Sequence, residues 1–174
     1  MNEVLMKYHL SQRIIHWLMA LLIVSLLLVG FIMHDLQNET RYAVYNLHKS
    51  FGILVLIFLF FRVAARLKYR APAMSKKFKK WEVSLSKSMH FLFYILMFLM
   101  PLSGWLMSNA KGYGVKLFGL NMPFIVGKNK FIGDIAHDMH GIIAWILVAM
   151  IILHILAIIK HYLIDKENIL TRIS

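Results

Sequence analysis

Two histidines sit inside the last long apolar stretch of this chain, which runs from His137 to His161 and reads HDMHGIIAWILVAMIILHILAIIKH. His140 and His154 are fourteen residues apart. That is close to four turns of an α-helix, so the two imidazoles share one face about 21 Å apart along the axis. His161, seven residues further on, falls within about 20° of that face, whereas His137 points about 100° away from His154. An ionisable or coordinating group in apolar surroundings is costly unless it has a partner or a function. A hydrogen-bonded packing histidine is the bland alternative for either one alone. Two at one azimuth, near opposite ends of one helix, ask for partners at the same two depths on other helices.

The elements that must supply those partners are membrane spans. The chain has 174 residues, of which 60% are hydrophobic, with mean hydropathy +0.66, values that fit neither an ordinary soluble domain nor a disordered chain. About 20 apolar residues at 1.5 Å rise cross the ~30 Å hydrocarbon core. Four segments meet that length, at about 14–33, 47–67, 89–108 and 137–161. They predict an all-α, integral membrane four-helix bundle forming a single domain over 1–174. The first segment is long for a secretory signal and is followed by HDLQNET, without a small-residue cleavage site, so it reads as a retained anchor. Between the spans lie an amphipathic lead-in (1–13), a polar connection from His34 to Asn46, the basic stretch KYRAPAMSKKFKKWEVSLSK, a long loop from Asn109 to Asp134, and the tail KHYLIDKENILTRIS. No internal repeat stands out. Trp17, Trp105 and Trp145, with Tyr42, Tyr45 and Tyr113, read as interface belts and packing.

The formal net charge of +12 would suit nucleic acid, but the charges flank the spans, and a basic rim beside anionic membrane lipid is the simpler account. Fourteen of the twenty Lys and Arg residues fall on the side of the lead-in, the second connection and the tail. The positive-inside rule therefore places both termini in the cytoplasm. Depths can then be matched. His16 opens span one at the cytoplasmic level, and His48 opens span two at the outer level. His140 stands at the outer level of span four and His154 at its cytoplasmic level. Two pairs result, His48 with His140 and His16 with His154.

Facing imidazoles could form a polar contact, a zinc or copper site, or the axial ligands of a haem. Zinc normally takes three or four protein ligands, and no Cys, Asp or Glu accompanies the pairs within the spans. Haem brings four nitrogens and asks the protein for one or two, which suits pairing by twos. The absence of cysteine excludes thioether attachment, so the expectation is two non-covalent b haems. Gly30, fourteen residues after His16, and Gly52, one turn after His48, would make room for a flat macrocycle, with ordinary close helix packing as the alternative.

Several pieces then resemble the bacterial cytochrome b561 family over essentially the whole chain. They are R-x-x-HW (Arg13, His16, Trp17), LHKSFGILVL with His48, FRVAARLKYRAP, MPLSGWLMS with Pro101 and Gly104, FGLNMP, and H-x13-H-x6-H running on into HYLIDKENIL. The resemblance implies a dihaem inner-membrane cytochrome b with His16, His48, His140 and His154 as haem ligands. It implies superoxide oxidase activity, with superoxide as donor and ubiquinone as acceptor. His161 would then lie at a quinone-binding region, a snorkelling interfacial histidine being the alternative. A non-enzymatic electron-transfer subunit, relaying electrons between a partner redox protein and quinone, is the rival reading. A bundle of structural or transport function that binds no haem is a third.

Arg62 sits fourteen residues after His48, at the cytoplasmic level on the same face. A guanidinium there needs an anion, and a haem propionate would serve, with Arg13 and Arg66 as alternatives and lipid phosphates as the other anion all three could face. His90 reads as a helix-end histidine, with assistance at the quinone region as the alternative, and His9, His34 and His137 as interfacial, with His137 a reserve ligand candidate. The outer loop carries Lys111, Lys116, Lys128 and Lys130 against Asp134. Such a positive rim would raise the encounter rate of a small anion such as superoxide; the alternative is a plain solvated loop.

Overall fold

A computed structural model describes residues 6–73 and 77–174; the first five residues of the lead-in and Met74, Ser75 and Lys76 of the basic stretch lie outside the described residues. The four apolar segments become α1 (Leu10–Ile32), α2 (Asn38–Lys68), α3 (Lys80–Ala110) and α4 (Lys130–Leu163). All four are long and apolar enough to cross a membrane, and the chain is a multi-pass helical membrane protein.

Three helices run well past their apolar spans. α2 takes in Asn38–Asn46, so most of the expected polar connection is helix. α3 begins nine residues before its span, where Lys79 N–H donates to the Glu82 carboxylate at 2.9 Å and closes a capping box. α4 begins seven residues early, where the Asn129 side chain accepts from Ile132 N–H at 3.1 Å. At α3 and α4, polar caps rather than the ends of the apolar runs set these boundaries.

Extensive backbone packing joins helices adjacent in sequence: α1 with α2, α2 with α3, α3 with α4. Two apolar clusters fill the middle. Met19, Val55, Leu59 and Met97 join α1, α2 and α3, while Leu96, Ile143, Leu147 and Met150 join α3 to α4. Leu21, Leu28, Phe60, Phe61, Ile152 and Leu153 remain exposed on the outside, as surfaces meeting lipid must.

Tyr8 N–H donates to the Arg172 carbonyl at 2.9 Å and Trp17 Nε1–H to the Ile173 carbonyl at 3.0 Å. Arg172 in turn donates to the carbonyls of Pro72 and Ala73. The N-terminal lead-in, the α2–α3 connection and the tail therefore share one face, called here the termini face. The opposite face carries a two-stranded hairpin, β1 (Lys116–Leu117) with β2 (Leu120–Asn121).

Candidate functional site

Side chains capable of coordination gather at two levels, separated by the apolar clusters. Toward the hairpin face, the rings of His48 (α2) and His140 (α4) stand 6.4 Å apart, edge to face. His140 Nδ1 lies 3.0 Å from the Met100 carbonyl and 3.1 Å from the Ser103 hydroxyl. A carbonyl only accepts, so Nδ1 carries the proton and Nε2 keeps its lone pair. That is the second-shell arrangement of a ligating imidazole. His48 Nδ1 is buried and makes no hydrogen bond, an arrangement that costs free energy unless the site has a further occupant.

The glycines at this level explain how the rings fit. A Cβ on Gly104 of α3 would stand 3.0 Å from His140 Cε1, and one on Gly30 of α1 would stand 3.4 Å from His48 Cε1. Gly52, by contrast, faces open space. Two imidazoles backed by bare helix, an unpartnered ring nitrogen and space beside Gly52 fit a flat, iron-bearing macrocycle.

The hairpin is fastened at the same level. The Ser50 hydroxyl donates to the Lys116 carbonyl at 2.8 Å and accepts from Phe118 N–H at 3.2 Å. Phe118 and Gly119 both have positive φ, 47° and 99°, as the central residues of a two-residue I′ turn require. Phe118 is held in that conformation by Ser50 and by the edge of Phe51, with ring centroids 5.1 Å apart. At the root of the loop, the fully buried Asn109 donates to the Tyr113 carbonyl at 3.2 Å and accepts from Ile125 N–H at 2.9 Å. Lys111, Lys116, Lys128 and Lys130 are all exposed around it. Lys49 joins them over the Tyr113 ring.

Toward the termini face the second level holds three imidazoles. His16 (α1) lies within electrostatic range of both His154 (α4) and His90 (α3). The rings of His90 and His154 are 6.0 Å apart. Arg62 of α2 donates to His16 Nδ1 at 3.1 Å and stacks near Tyr94. Arg62 is thus at the level its spacing from His48 predicts, but its partner here is an imidazole. His90 goes beyond its reading as a helix-end histidine. Its Nδ1 lies 2.6 Å from the Ser86 carbonyl, which fixes that proton and leaves Nε2 its lone pair. The signal was its depth, which matches that of His16 and His154.

His161 lies at the end of α4, beside Phe78. Its Nδ1 is 2.5 Å from Asp165 Oδ2, and Lys160 Nζ donates to the same oxygen at 2.7 Å. Lys160 also pairs with Glu82 of α3. Lys160 first, then His161, hold the Asp165 carboxyl below the usual carboxylate range. His137 lies against Met107, within electrostatic range of His140.

Comparison with known proteins gives the family. The family model described as prokaryotic cytochrome b561 matches residues 7–174. Cytochrome b561 homolog 2 of Escherichia coli (strain K12) is 28% identical over 169 residues, covering 95% of this chain and 90% of that protein. A probable superoxide oxidase CybB of Yersinia pestis is 30% identical over 170 residues, 95% of this chain and 94% of its own length. Cytochrome b561 homolog 1 of Escherichia coli (strain K12) is 24% identical over 172 residues, with 95% and 96% covered. The chain belongs to the prokaryotic cytochrome b561 family, helical membrane proteins that bind haem b and transfer electrons.

Proposed function

We propose that this chain is an inner-membrane dihaem cytochrome b that passes single electrons from superoxide, at the hairpin face, to ubiquinone, at the termini face. The observation that carries the reading is the gathering of imidazoles at two levels of one bundle, backed by glycine at the first and met by a guanidinium at the second. Taking the termini face as cytoplasmic rests on its excess of Lys and Arg. The name of the Yersinia pestis relative supports superoxide as donor.

Haem, when bound, supplies a one-electron couple at each level. The chain's own residues do the rest. His48 and His140 would hold one haem, and His16 and His154 the other. Met100 and Ser103 orient His140 so that its Nε2 is the free donor. Arg62, released from His16, would hold a propionate carboxylate. The Met, Leu and Ile clusters keep water from the space between the levels. The exposed lysines would draw a small anion toward the His48–His140 level. The rival reading, an electron relay docked to a partner redox protein, draws on the exposed Phe118, Leu120 and Phe124 beside those lysines.

A dithionite-reduced minus oxidised spectrum, with haem measured per chain, tests the cofactor; two non-covalent b haems are expected, and one or none would overturn the dihaem reading. Mixing the oxidised protein with superoxide and ubiquinone tests the activity. Quinol formation driven by superoxide is expected, and its absence would favour the relay.

A further inference from the structure

Around His161 the bundle assembles charges from two helices and the tail. Asp165 Oδ2 receives both His161 Nδ1 and Lys160 Nζ. Lys160 bridges on to Glu82, whose other oxygen is held by the capping bond from Lys79 N–H. Phe78 covers one side of the imidazole. The neighbouring Lys77–Glu167 pair balances itself. The inner group, Glu82, Asp165 and Lys160, sums to one negative charge when all three are ionised, and His161 is the group facing it. The His161 side chain is 15% exposed and that of Asp165 is 25% exposed, so the carboxylate is the more open to water. Glu82, His161 and Asp165 have ligand atoms close enough for a metal ion, but the Lys160 ammonium already stands between the two carboxylates.

We propose that Asp165 is a positioning residue that makes His161 the proton donor to ubiquinone at the termini face; this rests on the quinone reading given above. Asp165 accepts from Nδ1–H, so Nε2 is the atom left to face a substrate. When the ring is doubly protonated, the cluster's single negative charge balances it, and Nε2–H is the proton that can leave. The chemistry balances. Two superoxide anions each lose one electron and become dioxygen. Ubiquinone gains those two electrons and two protons, one on each carbonyl oxygen, and becomes the quinol. His161 delivers protons by cleavage of Nε2–H and is reprotonated from water at the termini face. Lys160, itself paired with Glu82, holds Asp165 in place and keeps it ionised.

The test uses the full chain carrying its haem, with ubiquinone-1 as acceptor. Asp165→Asn should leave haem reduction by superoxide within about twofold of wild type. It should slow reoxidation by ubiquinone-1 about tenfold near neutral pH, the size of effect expected when the group that orients an imidazole through its other nitrogen is lost. Asp165→Glu should restore that rate. A merely structural clasp would instead impair both half-reactions together. Wild-type-like reoxidation in Asp165→Asn would overturn the role of Asp165 while leaving the proposed function standing. A wild type that ubiquinone-1 cannot reoxidise would overturn the underlying quinone reading. Should Asp165→Asn fail to fold, nitrogen NMR of histidine-labelled wild type, with the His161 signal identified by its loss in His161→Ala, gives a second reading. A proton on Nδ1 supports the proposal, and a neutral ring protonated on Nε2 alone overturns it.

Discussion

His140 lies against α3 at Gly104, so closely that a Cβ there would stand 3.0 Å from His140 Cε1. The same turn of α3 supplies Met100 and Ser103 to the ring's Nδ1. One glycine and two polar neighbours thus fix the ring's position, tilt and tautomer together.

Gly104→Ala should therefore displace His140, at an overpacking cost of about 1–3 kcal/mol. The expected outcome is loss of one of two haems, or its weakened retention through gel filtration, with the other haem kept. Haem per chain and the thermal midpoint in detergent measure both. Retention of both haems at the wild-type midpoint would show that the ring tolerates the methyl group.

Pairing is tested by single substitutions. His48→Ala and His140→Ala should each remove the same haem, and His16→Ala and His154→Ala the other, as read by redox titration of the haem that remains. His90→Ala should keep both haems and shift only the midpoint of the termini-side one. Loss of a haem in His90→Ala, with none lost in His16→Ala, would make His90 rather than His16 the partner of His154.

The sequence made the spans legible because length and hydropathy are what a bilayer selects. It also made the two His levels legible, because a helical rise of 1.5 Å turns residue number into depth. The helix ends were not legible in the same way. The polar run Asn38–Asn46 has no apolar period, and α3 is set by a capping pair, Lys79 with Glu82. His90 went unread as a third imidazole because its azimuth depends on how α3 is rotated against α4. Asp165 went unread because it reaches back one turn only where α4 has stopped at Leu163. Gly104 belongs to the MPLSGWLMS motif, but its contact with His140 is a property of packing between two helices.

Asn109 carries the outer loop, since it is fully buried and bonds both Tyr113 and Ile125. Asn109→Ala would leave Ile125 N–H without its acceptor, a cost of about 1–3 kcal/mol. The thermal midpoint should fall and limited proteolysis should cut between residues 112 and 129. Asn109→Asp, which keeps the acceptor for Ile125, should lose less. Equal losses in both variants would mean that the Tyr113 bond matters more.

The exposed lysines test the donor. If Lys111, Lys116, Lys128 and Lys130 guide superoxide to the His48–His140 level, association should depend on their charge. Screening acts over about 10 Å at 0.1 M salt, so raising ionic strength should slow haem reduction by superoxide. Replacing the four lysines by Gln should slow it as well, and should flatten the salt dependence, because the field that causes it has been removed. Lys49, held over Tyr113, would leave a residual slope that a fifth substitution removes. Reduction by a neutral quinol should hardly change, since steering acts only on a charged partner. Stopped-flow mixing at several salt concentrations measures all of these rates. A rate indifferent to both salt and lysine removal would mark the loop as solvated surface and move the balance to a relay that meets its donor through Phe118, Leu120 and Phe124.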